Sequence, residues 1–408
     1  MGRAQQHSQA AFDCRGRPST ARRSPQSSSR LEWLGQLPAQ AAQQVLKHYV
    51  RAWDRYFTGV SRQPRFKKRT GHMAVDVPQA CKLNIIRLNH RWGEVTIPLV
   101  GRVRFRWTRP LAGISPGCPG RITGARLIKK ALGWHICFRI EEPAIEAAPN
   151  PGPPVGIDRG VVHTMATSDG EMLDMPPLLR PGEKRRLQAL ERKAARQQLT
   201  RERGEERSNR QKRTYHQIAA MRARQARRRE NWLHKITTRL AKNHGVIAVE
   251  DLNVTRMTRS ARGTVEQPGV NVRAKGSLNR SILGMAWGTT GRMFCYKSQA
   301  NGSVLVKVNP RNSSIECARC GPVSRANRVD QAIFHCEVCA HVANADTNAA
   351  QVVLQRGLTA LSGATPGCGG TAREVRATAP QRELHAQAPT SRRTSIHHAG
   401  AATPSAPR

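Results

Sequence analysis

CARCGPVSRANRVDQAIFHCEVCAHVANADTNAA, residues 317–350, carries two signatures in one run. Cys317-x2-Cys320 and Cys336-x2-Cys339 form two C-x-x-C pairs with fifteen residues between them. A C-x-x-C knuckle lets two thiolates and nearby backbone N–H groups converge on one ion, and two knuckles complete a tetrahedron of sulfur. The spacing is that of a zinc ribbon. Four thiolates leave no open position for water, so the expected zinc is structural. Two disulfides or a redox pair are the competing readings. A reducing compartment argues against the first, and the lack of a thioredoxin-like context against the second. His335 and His341 flank the cysteines as substitute ligands or, with four thiolates present, as surface groups. Seven residues past Cys339, Asp346 opens a helix expected to run to about Arg356.

That acid stands out because acids are scarce. The 408 residues hold 68 Lys+Arg against 27 Asp+Glu, a formal charge of +41. So large a charge opposes compaction by self-repulsion and calls for a polyanion, with nucleic acid the default partner. An anionic membrane is the weaker alternative. The chain has no apolar run of 18 residues and no basic amphipathic helix with a clean apolar face. ARRSP near the N-terminus has no apolar segment behind it, so no export signal is expected. Ten cysteines over this length suit a reducing compartment with a metal site.

Outward from the cysteines, residues 1–30 are polar and expected to be disordered. Residues 37–57 space Val45, Tyr49, Val50, Trp53, Tyr56 and Phe57 helically, with Pro38 at the start. From 82 to 141 five short runs divided by Gly/Pro turns predict strands of a small barrel or sandwich, and 143–154 reads as a linker. Residues 155–157 form a short apolar strand, and the SDG at 168–170 marks a hairpin turn. Residues 181–230 hold seventeen Lys/Arg and six Glu and predict long basic helices, continued by Trp232, Leu233, Ile236 and Leu240. Residues 245–254 predict a buried central strand and 303–309 another. Between them, 255–276 is expected to be mobile and 277–301 to be one helix with some glycine interruption. The tail from about 360 is expected to be disordered.

Three acids sit at telling places. Asp158 follows the strand VGI, Glu250 ends VIAV, and Asp346 lies in the first turn of the last helix. On neighbouring strands Asp158 and Glu250 would share a rim, with Asp346 brought across by its helix. Such a trio needs divalent cations to offset its repulsion, and hard oxygen ligands select Mg2+ or Mn2+. Two ions would activate a water and stabilise the leaving oxygen of a phosphodiester. Taken singly, each acid reads as a helix cap or a solvated strand end. Spacing alone does not unite them, and strand alternation leaves Glu250 and its neighbour Asp251 undecided.

The order of elements is that of an RNase H-like fold. GIDRGVVHTMATSDG, VEDLNV, NRSILGMAWG, PRNSS before Cys317, and C-x-x-C-G…C-x-x-C-x-H-x-x-NAD-x-NAA together resemble the TnpB family. These are transposon-encoded proteins with a split RuvC-like nuclease domain, similar to the type V CRISPR nucleases. The likeness runs from about 155 to 357, and LPAQAAQQVL…RFKKR is similar to the family's N-terminal helical region.

The resemblance implies an α/β RuvC-like nuclease domain with an inserted zinc ribbon, an N-terminal helical segment and a small β-barrel-like domain. The implied division is a partial helical lobe at 31–75, a nucleic-acid-binding barrel-like domain at 76–142, and the nuclease domain at 155–312 with a basic helical insertion at 181–244. The ribbon takes 313–342, the last nuclease helix 343–358 and the tail 359–408. It implies Asp158, Glu250 and Asp346 as the metal-binding catalytic carboxylates, favouring Glu250 over Asp251. It also implies a guide RNA from the element's end, cutting of target DNA, and a prokaryotic cytoplasmic, nucleoid-associated location. No counterpart of the family's opening strand and first helix is found, so a shortened copy, or a misplaced start, with an exposed barrel edge is expected. The alternatives are a zinc-ribbon DNA/RNA-binding accessory protein of transposition and an RNA-binding protein with decayed nuclease residues.

Overall fold

In the computed structural model the described residues are 39–65, 73–98, 100–142, 147–202, 204–363 and 375–376. The stretch expected to be disordered at 1–30, Pro38, most of RFKKR and most of the tail lie outside them. The chain divides into two compact units. One comprises Met1–Pro149, Asp174–Leu240 and Ala300–Gly302, the other Asn150–Leu173, Ala241–Gln299 and Ser303–Arg408. Among the described residues no helix is long and apolar enough to cross a membrane.

The first unit opens with α1 (Ala39–Phe57), whose Trp53 ring stands 5.8 Å from Tyr56 and 5.6 Å from Phe57. Two three-stranded antiparallel sheets follow. One joins β2 (Asn84–Arg87), β3 (Trp92–Ile97) and β4 (Gly101–Arg106). The other joins β1 (Ala74–Val77), β5 (Arg121–Lys130) and β6 (Gly133–Glu141). Val77, Val95, Ile97 and Ala125 of these sheets, with Leu83 just before β2, form one core, with Ile85, Phe105 and Phe138 against it. Alternation in β3 explains the packing, since every second residue is buried. β1 straddles the boundary expected at 75/76. Its four residues AVDV are too short to show a period, and pairing with β5 creates it.

α2 (Pro181–Leu199) and α3 (Asn209–Asn243) are the expected basic helices. Leu190 and Ala194 meet Ile218 and Met221 in a small core. Arg228 grips Glu183 through two bonds of 2.5 and 3.0 Å, and Arg222 reaches Glu191 at 2.8 Å. The remaining cations lie outside that core.

The second unit is built on a six-stranded sheet of β7 (Val155–Asp158), β8 (Met165–Thr167), β9 (Met172–Leu173), β10 (Val246–Glu250), β11 (Val304–Val308) and β14 (Val375–Arg376). Its order is β14-β11-β10-β7-β8-β9, parallel from β14 to β7 and antiparallel beyond. A two-stranded hairpin, β12 (Ile333–His335) with β13 (Val342–Asn344), precedes α7 (Ala345–Ser362). α7 lies directly on β7 and β10 because the contact is made of small residues. A Cβ on Gly156 would stand 2.1 Å from the Ala350 carbonyl, and one on Gly357 2.6 Å from the Ala248 Cβ.

Several expectations change here. The helix expected to end near 356–358 runs to Ser362, since Ala360 and Leu361 pack against the core of Val306, Val308 and Val353. The tail expected to be disordered supplies β14, which pairs with Val306 and Lys307 at the edge of β11. The stretch 255–276, expected to be mobile, holds α4 (Val254–Met257) and the start of α5 (Val272–Met285). Lys275 donates to the Met257 carbonyl and Asn279 to that of Thr258, which ties this stretch down. The single helix expected at 277–301 is two, α5 and α6 (Trp287–Ala300). The break falls at Ala286, left-handed at φ 57°, and not at either flanking glycine. The left-handed region costs a non-glycine residue about 1–2 kcal/mol. Buried Arg159 donating to the Trp287 carbonyl, and the Trp287 indole donating to that of Gly160, hold it there.

Candidate active site

Parallel pairing of β7 with β10 sets Ile157 beside Val249, so the next residues, Asp158 and Glu250, end adjacent strands at the same rim. α7 crosses these strands and carries Asp346 in its first turn. Asn344 caps that helix, its side-chain oxygen accepting the amides of Asp346 at 2.9 Å and Thr347 at 3.3 Å. The three acids interact. Burial, reinforced by the charges of Glu250 and Asp346, pushes the Asp158 carboxyl up to about 7. Glu250 is buried and its carboxyl is raised by desolvation, an effect opposed by Ser313 and by the cations of Arg159 and Arg356. Asp251 is exposed, unlike buried Glu250, and its backbone amide donates to the Val308 carbonyl.

Three further residues shape this rim. The Ser313 hydroxyl donates to Glu250 Oε1 at 2.7 Å. Arg328 forms an ion pair with Asp346 at 3.5 Å. Arg159, 7% exposed, donates to the carbonyls of Trp287 and Glu250, and its charge is felt by Asp158 and Glu250. Sequence reasoning passed over all three. Arg159 had a signal, being a cation inside a buried strand end. Ser313 lies in the PRNSS that carries the family resemblance, but nothing in the sequence ties it or Arg328 to acids 63 and 18 residues away.

The cysteines converge more tightly. Sγ of Cys317, Cys320, Cys336 and Cys339 all lie within 4.8 Å of one another, with Cys317 to Cys339 at 3.7 Å and Cys320 to Cys336 at 3.5 Å. A tetrahedron with metal–sulfur bonds of about 2.3 Å has edges of about 3.8 Å. The donor set therefore fits one metal ion. Each knuckle turns through a left-handed residue just after its second cysteine, Gly321 at φ 87° and Ala340 at φ 53°. The Arg319 amide points at Cys317 Sγ, and the amides of Cys339 and Val338 hold the Cys336 thiol down at about 6. His335 is exposed, and His341 lies with its ring centroid 6.5 Å from that of Phe334; neither joins the sulfur cluster.

The cluster is fastened to the helix that bears Asp346. Asn348, fully buried, accepts the Ala318 amide at 3.0 Å and donates to the Glu316 carbonyl at 2.7 Å. Gln355 donates to the Ala318 carbonyl, and Arg356 pairs with Glu316.

The chain is similar to known proteins. The family model of the IS605 OrfB protein, described as "Probable transposase", matches residues 135–261, and that of the Cas12f1-like TNB domain matches 287–353. "Putative RNA-guided DNA endonuclease InsQ" of Escherichia coli K12 is 34% identical over 82% of this chain and 79% of its own length. A "Putative RNA-guided DNA endonuclease" of Streptomyces pristinaespiralis is 28% identical over 86% of this chain and 77% of its own. A cryo-EM structure of a Cas12f1–sgRNA–target DNA complex aligns at 14% identity and a TM-score of 0.47, covering 74% of this chain and 67% of that one.

Proposed function

The chain belongs to the TnpB family, the OrfB-type proteins of IS605 elements, and on that premise we propose that it is an RNA-guided, metal-dependent DNA endonuclease of transposon origin. Asp158, Glu250 and Asp346 are its catalytic carboxylates and hold Mg2+ or Mn2+ on an RuvC-like, RNase H-type sheet. Cys317, Cys320, Cys336 and Cys339 hold a structural zinc. The observation that supports this reading most is the pairing of β7 with β10, which ends Asp158 and Glu250 at one rim, with Asp346 in the first turn of the helix packed on those strands.

Bound divalent ions supply an activated water and stabilise the leaving oxygen of the phosphodiester. The protein's own groups prepare that site. Asp158, whose carboxyl burial and the neighbouring acids push up to about 7, would hold a cation as the carboxylate. Ser313 donates to one oxygen of Glu250 and so fixes which lone pairs face the rim. Asn344 and Arg328 orient Asp346 from the backbone and side-chain sides. The basic α2–α3 pair offers cations to a nucleic-acid backbone. The deciding experiment is cleavage of a plasmid target, with Mg2+, by protein purified with RNA from its own element. The native chain should cut and Asp158→Ala should bind without cutting. Equal cutting by both would refute the carboxylate assignment.

A further inference from the structure

A second feature lies in the first unit, on the sheet of β2, β3 and β4. Pairing places Arg87, Gly93 and Phe105 side by side in one row across the three strands. A Cβ on Gly93 would meet Trp107 at 2.6 Å and Phe105 at 2.7 Å, so the glycine leaves the space these rings fill. Phe105 and Trp107 stack with centroids 5.6 Å apart and planes 27° from parallel. The Arg87 guanidinium lies 5.5 Å over the Trp107 ring and ends the stack. Trp107 is buried while Arg87 is exposed, so the guanidinium plane is the stack's more exposed member, with the indole behind it.

That plane opens into a cavity of about 360 Å³ lined by Arg87, His90, Trp107, Thr108, Arg109 and Ser115. No carboxylate lines it, and among the described residues none of Arg87, His90 and Arg109 is ion-paired. The volume falls at the lower end of the range of about 300–1,000 Å³ for small-ligand pockets. A flat cationic stacking surface beside a second guanidinium and hydroxyls suits a ligand that is planar at one end and anionic at the other.

We propose that this cavity holds one unpaired nucleotide of a bound single strand. Its base extends the stack on Arg87, and Arg109 neutralises its phosphate. Guanidinium planes accept bases this way, and stacking is indifferent to base identity. The proposal rests on the nucleic-acid-binding reading above, not on catalysis.

The test is fluorescence anisotropy on the full-length chain, without added divalent ions so that cutting plays no part, at about 0.3 M salt to weaken phosphate contacts. The probes are labelled RNA and DNA single strands of about 12 nucleotides, each with an abasic counterpart of equal charge. Native protein should prefer the base-bearing strand. Arg87→Lys keeps the charge but loses the plane, and should reduce that preference at least about 5-fold while leaving abasic binding unchanged. Arg87 is exposed, so unchanged melting of the variant confirms its folding. Preference confined to RNA assigns the nucleotide to the guide strand, and preference confined to DNA assigns it to the target. A preference that survives both Arg87→Lys and Arg87→Ala overturns the pocket alone. Failure of the native chain to bind any of the strands overturns the nucleic-acid reading with it.

Discussion

Replacing Asp158 by Asn tests the electrostatics of the rim without any substrate. In the folded, metal-free chain Asp158 keeps its proton until about pH 7, whereas its ordinary value is 3.8. Folding therefore takes up a proton between those values, and the stability of the native chain falls as pH rises from about 4 to 7, then levels. Each pH unit of difference corresponds to about 1.4 kcal/mol, so ionising Asp158 costs the folded chain ~4 kcal/mol above pH 7. Asparagine keeps the shape and removes the charge. Glu250 and Asp346 lose a repelling neighbour, while Arg159 keeps Glu250 as a counter-charge. At pH 8 the variant should be more stable by about 2–4 kcal/mol, allowing for water entering the rim, which raises the melting midpoint by about 5–10 °C. At pH 5 the two should melt nearly together. Differential scanning calorimetry of chelator-treated, zinc-retaining protein across this range decides it. A difference that does not grow with pH, or a variant less stable at pH 8, would refute the clustering of the acids. Added Mg2+ should stabilise the native chain at pH 8 and do little for Asp158→Asn.

Three other outcomes follow from the same geometry. Ser313→Ala removes the hydroxyl that donates to Glu250 and should slow cutting about 10- to 100-fold, with DNA affinity unchanged in a gel-shift titration. Cys336→Ser should lower the zinc content measured by atomic absorption and destabilise the second unit; full zinc content with normal melting would sink the cysteine assignment. Gly156→Ala pushes a methyl into the Ala350 carbonyl of α7 and should cost about 1–3 kcal/mol by urea unfolding, with loss of cutting because the helix bearing Asp346 is displaced.

What could be foreseen was what is local in the chain. The cysteine spacing shows itself because each knuckle is a four-residue turn, and the same turn places a left-handed residue after Cys320 and Cys339. The central strands stand out because Val155–Ile157 and Ile247–Val249 are buried on both faces and so are continuously apolar. The acids that end them were visible one by one, but only the pairing of β7 with β10 and the descent of α7 relate them. Ser313 to Glu250 and Arg328 to Asp346 are contacts of the folded chain with no periodic trace. β1 lacked the length to show a period, and β14 is made by the open edge of β11 and not by its own two residues. The turn at Ala286 escaped notice because glycine propensity points elsewhere. It is imposed by Arg159 and Gly160, more than a hundred residues earlier.

Asp158, Glu250 and Asp346 are proposed to act as one divalent-metal site. Manganese binding to zinc-loaded protein, followed by the loss of the free Mn2+ electron paramagnetic resonance signal, tests it directly. Asp158→Asn, Glu250→Gln and Asp346→Asn should each weaken Mn2+ binding by an order of magnitude or more while leaving zinc content intact. Native affinity in any one of the three would remove that residue from the site, and native affinity in all three would exclude a shared carboxylate metal site.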